Sequence, residues 1–194
     1  MVERITKIIN ILVELLQSAG PLAGFFLIIL ESIIPILPLS VFIAFNNLAF
    51  GSFLGFIISL IGTICGCLIS FYAFRLGFSK ILYRNMKIDG KIHNLMKRIK
   101  SMSFSLLVIL IALPFTPAFL INIVCGLSKM EPKKFLLSIL IGKISIVYFW
   151  GYVGTGLIES LQNPKIFLEI IIILLVAYAF SRVIQKILKV NEVK

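Results

Sequence analysis

Two pairs of prolines interrupt two long apolar runs, and this feature restricts the possible folds more than any other. The pairs are Pro35 and Pro38 in ESIIPILPLS, residues 31–40, and Pro114 and Pro117 in LPFTP, residues 113–117. Proline lacks an amide donor and disfavours helix at the residue before it, so each pair should end a helix. In hydrocarbon, backbone groups freed in this way need partners inside the protein or in a wet cavity. The pattern therefore predicts two broken helices that line a cavity.

The apolar runs place the chain in a membrane. Hydrophobic residues make up 60% of its 194 residues, and Lys and Arg outnumber acids to give a net charge of +11. Soluble domains do not have such a composition. The basic residues lie in blocks between the apolar runs, which indicates loops facing an anionic leaflet rather than contact with nucleic acid. We therefore expect an all-α polytopic membrane protein.

The segments form a single membrane domain over residues 1–194. We expect an amphipathic helix at 1–20, a first repeat at 21–78 with a re-entrant hairpin at about 35–50, basic interfacial helices at 79–103, a second repeat at 104–158 with a re-entrant hairpin at about 104–128, and a last span with a basic tail at 159–194. Full-length spans are predicted at 51–74, 135–157 and 166–180.

The basic blocks also predict how the two hairpins are oriented. Residues 79–103, 129–134 and the C-terminus belong in the cytoplasm by the positive-inside rule. The apolar run between the first two blocks must then enter and leave on the cytoplasmic side. The first hairpin must enter from the opposite face, because the span that follows it descends to the cytoplasm. Two similar halves of opposite orientation are the pattern of an inverted repeat.

Small residues recur on one face of the span at 51–74. GSFLG and GTICG are both G-x-x-x-G motifs, which let another backbone approach closely in lipid. The glycines expected at helix contacts are Gly51, Gly55, Gly62, Gly66, Gly126 and Gly142. This face suits packing within the chain, and it also leaves a homo-oligomer open.

Few polar side chains lie inside the apolar runs, and these are the candidate functional residues. Glu31 would cap the broken backbone, or would gain and lose a proton as a ligand moves. Asn46, Asn47 and Asn122 would satisfy freed backbone groups or line a polar path. Lys143 lies well inside its span, where both snorkelling to the interface and contact with a headgroup are consistent with the sequence.

No catalytic or metal-binding pattern accompanies these residues in the sequence. It contains no phosphate-binding glycine loop, no set of metal ligands, and no Ser, Cys or His beside a base. Cys65, Cys67 and Cys125 fall within apolar runs, where buried inert thiols are expected. The aromatic residues of FWGY, 149–152, are expected at the outer interface. We therefore expect neither an enzyme nor a cofactor.

Three segments together resemble the DedA superfamily, in its SNARE-associated branch of VTT-domain membrane proteins. They are ESIIPILPLSVFIAFNNLAFG, the glycine-rich span ending in FYAFRLG, and LPFTPAFLINIVCGLSKMEPKKFLLSILIGK. The resemblance covers about residues 20–158 and implies two oppositely facing re-entrant hairpins. Several members move lipid between leaflets: bacterial members are linked to recycling of the undecaprenyl phosphate carrier and to the proton-motive force, and eukaryotic relatives are phospholipid scramblases.

The resemblance also assigns residues by position. Glu31 matches the acidic residue ahead of the first hairpin, and Arg75 matches the basic residue of an aromatic-x-x-x-Arg-x-Gly element. Arg75 would bind a lipid phosphate through its charged fork, or would anchor its span at the interface. Many members carry arginines three residues before and three residues after the proline of the second hairpin, where this chain has Ile111 and Pro117. Because these arginines are missing, the resemblance gives weaker support for assigning to this chain the specificity for a phosphate-bearing lipid carrier.

Lipid translocation in a bacterial inner membrane is the function that the resemblance implies. The partners would be anionic phospholipid or polyprenyl phosphate, with protons as possible coupling ions. Two alternatives remain open from the sequence, a proton-coupled transporter of a small solute and a membrane organiser that transports nothing.

Overall fold

The computed structural model describes residues 2–34, 38–76, 90–160 and 163–187. Within these ranges the secondary structure is helical and contains no strand. The helices are α1 (Val2–Ala19), α2 (Pro21–Ile33), α3 (Leu39–Phe50), α4 (Ser52–Leu76), α5 (Gly90–Ser101), α6 (Phe104–Ala112), α7 (Ala118–Leu127), α8 (Pro132–Glu159) and α9 (Pro164–Ile187). The predicted all-α class is therefore confirmed for the described part of the chain.

In the described part of the chain, three helices are long and apolar enough to cross a membrane, namely α4, α8 and α9. They include the spans predicted at 51–74, 135–157 and 166–180. A fourth crossing is possible if α1 and α2 count as one bent span, but the two helices meet at 110°. The bend lies at Gly20, whose φ of 82° favours glycine, and Pro21 then starts α2.

Both proline segments separate helices, as the sequence predicts. In the first, α2 ends at Ile33 and α3 begins after Pro38, while Pro35 lies outside the described residues. The helices on either side of the first segment are therefore α2 and α3. In the second, α6 ends at Ala112 and α7 begins at Ala118.

The helices α4 and α8 run antiparallel through the centre of the fold. The rings of Phe71 and Phe135 stack near the end of α4 and the start of α8, with centroids 4.3 Å apart and an interplanar angle of 12°. Both rings are fully buried within a cluster that also contains Leu107 and Leu110 from α6 and Cys125 from α7. This cluster joins the last turns of α4 to the second helix pair.

The long helices α4 and α8 each pack closely on the helix that precedes a proline segment, α4 on α2 and α8 on α6, and both contacts are of the same kind. A methyl group at Gly62 would lie 2.8 Å from Cγ2 of Ile28 and 3.2 Å from the carbonyl oxygen of Phe25. A methyl group at Gly142 would lie 2.7 Å from Cγ2 of Ile111, and 3.2 Å from the carbonyl oxygen three residues before it. Only glycine permits so close an approach of the two helices.

The order of these contacts gives the helix directions. Ile28 lies at Gly62 and Ser32 lies at Gly66, so α2 runs parallel to α4. Lys134 of α8 donates to the carbonyl of Met102, just before α6, and Gly142 meets Ile111 near the end of α6. Thus α6 runs parallel to α8. Because α4 and α8 are antiparallel, α2 and α6 run in opposite directions.

The second arms connect the two halves. On α3, Ser40 and Ala44 contact Gly154 of α8. On α7, Gly126 meets the backbone of Phe71 and Arg75 on α4. Each second arm therefore packs on the long helix of the other half. Of the other glycines predicted at contacts, Gly55 faces the backbone of α3, whereas Gly51 has a φ of 82° and has no heavy atom within reach of an added methyl group.

Candidate functional site

The two proline segments face a common cavity of about 320 Å³. Its lining comes from α2, α3, α4, α6–α7 and α8, and consists of Glu31, Ser32, Pro38, Leu39, Ser40, Cys67, Pro114, Thr116, Pro117, Phe119, Leu120, Asn122, Lys143, Ile146 and Trp150. We call this space the central cavity. Residues from both halves of the chain contribute to it, because each broken helix ends there.

Two buried charged side chains of opposite sign face the central cavity. Glu31 lies in the last turn of α2 and is 9% exposed, and Lys143 lies on α8 and is 2% exposed. Lys143 directly follows Gly142, so the close packing of α6 on α8 brings its side chain to the second proline segment. Both side chains line the same cavity. The cavity therefore offers both an acceptor and a charged donor.

Neutral polar groups surround this pair. Asn122 of α7 is 3% exposed, and Thr116 lies in the second proline segment at 7%. The hydroxyl oxygen of Ser32 is buried and has no hydrogen-bond partner among the described residues. A buried polar atom without a partner is costly unless water or a ligand satisfies it. The cavity is thus suited to a ligand that forms hydrogen bonds.

The central cavity opens on the apolar surface of the molecule. Among its lining residues, Pro38 and Pro117 are exposed, and Leu120 is 51% exposed. Exposed apolar side chains such as Leu30 and Ile144 lie on the helices around the opening. On a membrane protein such a surface faces lipid tails. Part of the rim of the cavity is therefore apolar and exposed.

Three of the predicted site residues lie outside the central cavity. The guanidinium of Arg75 donates to the carbonyl oxygen of Met130 and stands 5.6 Å from the ring centroid of Phe71. Asn46 is buried and donates through Nδ2 to the hydroxyl of Ser59 over 3.0 Å. Asn47 lines a second pocket of about 470 Å³ between α3, α4 and α8.

The sequence did not single out Ser32, Thr116 or Trp150 as site residues. Ser32 follows Glu31 directly and Thr116 stands between two prolines. The position of each residue beside a feature already noted could therefore have identified it as a site residue. Trp150 was predicted at the outer interface, yet it lines the central cavity. The direction in which the Trp150 side chain points depends on how α8 is rotated about its axis. The sequence does not define this rotation, because apolar residues occur on all sides of the helix.

The described residues contain no cluster of three or more His, Cys, Asp or Glu side chains that would hold a metal ion. The cysteines are free: Cys67 and Cys125 are buried, and Cys65 is partly buried.

The fold and the site together define a polytopic helical membrane protein with a largely apolar cavity that contains several polar and charged side chains and lies between two broken helices. Residues 34–156 match the VTT domain, so the chain belongs to the VTT-domain family. This match confirms the resemblance noted from the sequence.

Two proteins of Bacillus subtilis (strain 168) are similar to the chain over most of its length. The membrane protein YhjE is 28% identical over 183 residues, which are 93% of this chain and 88% of YhjE. The protein YqeD is 27% identical over 154 residues, which are 78% of this chain and 74% of YqeD. No solved structure matches the chain.

Proposed function

We propose that the protein moves lipids between the leaflets of the bacterial cytoplasmic membrane, with the headgroup in the central cavity and the tails in the bilayer. The observation that carries the proposal is the presence of buried Glu31 and buried Lys143 in one cavity, whose lining includes the exposed apolar side chain of Leu120. A headgroup needs the polar lining, and its tails need the side opening.

In this proposal the two helix pairs are re-entrant hairpins that enter from opposite faces. The opposite directions of α2 and α6 support this arrangement. At about 1.5 Å per residue, α2 reaches about 20 Å into the membrane and α6 about 14 Å. Together these lengths are close to the thickness of about 30 Å that a hydrocarbon core has, so the two proline segments meet inside it.

The depth of Lys143 argues for a hydrated or occupied cavity. Counted from Pro132, Lys143 lies about 16 Å along α8, which is near the middle of the membrane. A charged side chain at that depth costs about 3 kcal/mol or more if it faces hydrocarbon. A retained charge at such a position marks a path for substrate or ions in membrane proteins.

The chemistry of the cavity suits a phosphate-containing headgroup of an anionic phospholipid or a polyprenyl phosphate. Lys143 provides a point charge for the phosphate, and the neighbouring amide and hydroxyl groups provide further donors. Glu31 would compete with the phosphate for Lys143, and a proton on Glu31 would relieve the repulsion between the two anions. Protons are therefore the coupling ion that this arrangement favours.

The test is a headgroup-translocation assay in proteoliposomes that contain fluorescent phosphatidylglycerol or undecaprenyl phosphate, with and without a pH gradient. We expect Glu31→Gln and Lys143→Met to reduce translocation. Glu14→Gln and Lys133→Met, at exposed positions, are the matched controls and should behave like the wild type.

A folded wild-type protein that moved neither lipid above empty liposomes would contradict the proposal. Uptake of a small solute that depended on Glu31, without headgroup movement, would instead support a proton-coupled solute transporter. Full activity of both cavity variants would favour a function at another surface, such as membrane organisation.

A further inference from the structure

The last helix, α9, contacts the second proline segment although it lies beyond residues 34–156 that match the family domain. Only 11% of the most apolar segment of α9 is buried, so most of this helix faces outward. Tyr178, Ser181 and Gln185 nevertheless lie on one strip of α9, and Tyr178 in this strip is 48% exposed. Ser181 is fully buried and Gln185 is 4% exposed.

Gln185 connects this strip to the cavity wall. Its Nε2 atom donates to the carbonyl oxygen of Phe115 over 3.2 Å and to the hydroxyl oxygen of Thr116 over 3.1 Å. The ring of Tyr178, two turns earlier, packs edge-on against the ring of Phe115 with centroids 5.5 Å apart. One face of α9 therefore holds two consecutive residues of the proline segment.

The two hydrogen bonds have a chemical consequence for Thr116. Phe115 lies in a segment interrupted by Pro114 and Pro117, so its carbonyl has lost its helical partner and Gln185 satisfies it. The hydroxyl oxygen of Thr116 accepts from Gln185, and its own hydrogen is left for another acceptor. Because Thr116 lines the central cavity, that acceptor would lie in the cavity.

We propose that Gln185 is a positioning residue that fixes the second proline segment and orients the Thr116 hydroxyl as a hydrogen-bond donor to an oxygen of the lipid headgroup. This inference rests on the proposed function. In a medium of low dielectric constant, a polar side chain held by two bonds keeps one geometry, since breaking either leaves a buried group unsatisfied. The last helix thus contributes to the site without touching the ligand.

Trp150 reports on this arrangement without any transport. It is the single tryptophan of the chain, it lines the central cavity, and its ring lies 5.8 Å from that of Phe115. A shift of the proline segment therefore changes the surroundings of the only indole. Phosphatidylglycerol with brominated acyl chains would quench its fluorescence where lipid approaches the cavity.

The experiment compares Gln185→Leu, Thr116→Val and Thr116→Ser with the wild type in liposomes of phosphatidylglycerol. The matched control is Gln17→Leu. Gln17 of α1 also donates its Nε2 atom to a backbone carbonyl, that of Ala49 near the end of α3 over 3.0 Å, but neither residue lines the central cavity. All variants are first checked for a monodisperse profile in gel filtration.

We expect Gln185→Leu to alter the emission of Trp150 and its quenching by brominated lipid, and to lower phosphatidylglycerol translocation by about tenfold. Thr116→Val should lower translocation and raise the half-saturating lipid fraction, whereas Thr116→Ser should restore both. The double variant Gln185→Leu, Thr116→Val should be no slower than Gln185→Leu alone, because Gln185 acts through Thr116.

Wild-type translocation and wild-type Trp150 emission in Gln185→Leu would overturn the inference, as would additive losses in the double variant. If Gln185→Leu does not fold, the pair Thr116→Val and Thr116→Ser decides, and equal rates for both would overturn it. If the wild type moves no lipid, the proposed function fails. The inference then depends on lipid quenching of Trp150, which must differ between wild type and Gln185→Leu but not between wild type and Gln17→Leu.

Discussion

Glu31 and Lys143 are two opposite charges buried against one cavity, and their coupling can be measured as stability. Removing one partner leaves the other as an uncompensated buried charge, which is more costly than removing both. We predict that Lys143→Met destabilises the protein more in the wild-type background than together with Glu31→Gln. The coupling free energy from the four unfolding curves in detergent should be about 1–3 kcal/mol.

A second double-mutant cycle, made with Glu14→Gln and Lys133→Met at exposed positions, is the control. Its coupling free energy should be near zero. If the double-mutant cycle of Glu31 and Lys143 also gave a coupling free energy of zero, the two charges would not interact. The proposed competition between Glu31 and a phosphate for Lys143 would then have no basis.

Arg75 is the predicted site residue whose contacts differ most from a ligand-binding role. Its guanidinium donates to the carbonyl of Met130 beyond the end of α7 and lies over the ring of Phe71. We predict that Arg75→Gln lowers the free energy of unfolding by about 1.5–3 kcal/mol, the usual loss for a hydrogen bond to a charged group. Translocation per folded molecule should stay at the wild-type level.

Thermal unfolding and the translocation assay on the same preparation check this prediction. The exposed Lys97→Gln on α5 is the control and should change neither quantity. A stable Arg75→Gln protein that moved no lipid would restore Arg75 as the phosphate ligand that the family resemblance implies.

At the scale of helices, the contact between α3 and α4 depends on a glycine. A methyl group at Gly55 would lie 2.5 Å from the carbonyl oxygen of Asn46 and 2.6 Å from Cα of Asn47, both backbone atoms that cannot move alone. Alanine gains about 1 kcal/mol over glycine in helix propensity. Overpacking against backbone costs about 1–3 kcal/mol or more, so the clash prevails.

We therefore predict that Gly55→Ala lowers the melting temperature in detergent, although alanine is the better helix former. Ile69→Ala on the outward face of the same helix, 47% exposed, is the comparison and should have a much smaller effect. A Gly55→Ala protein more stable than the wild type would mean that α3 and α4 do not pack this closely.

The sequence predicted the helices better than their contacts, and the reason is physical. Proline pairs and apolar length act locally, so the three long helices and both breaks could be located from the chain alone. Glu31, Asn122 and Lys143 could be singled out because each lies inside an apolar run, but the sequence left structural and ligand-binding roles open for all three and did not predict that they line one cavity. The bond from Arg75 to Met130 joins residues 55 positions apart, and it depends on how α4 and α7 are rotated and packed.

At the scale of the whole molecule, the directions of the helices predict which ends face which side of the membrane. If the basic segments face the cytoplasm, as the positive-inside rule predicts, Ser101 at the end of α5 would lie inside, while Ser52 and Asn163 would lie outside. We predict that an impermeant maleimide labels Ser52→Cys and Asn163→Cys in intact cells, and labels Ser101→Cys only after lysis. The native cysteines are replaced by alanine first.

Labelling of Ser101→Cys in intact cells together with protection of Asn163→Cys would invert the orientation. Equal labelling of all three positions in intact cells would contradict a fixed topology. Labelling of Ser52→Cys only after lysis would mean that α4 starts on the cytoplasmic side. This result is incompatible with a first hairpin that enters from outside.

The matching contacts at Gly62 and Gly142 bear on the ancestry of this architecture. Each half of the chain carries one complete joint between a long helix and the helix before its proline break, although the two sequences differ. A shorter polypeptide with one such half, inserted into the membrane in both directions, would present both surfaces that the second arms now cover. Duplication and fusion of a single ancestral gene would account for two closely similar joints of opposite direction.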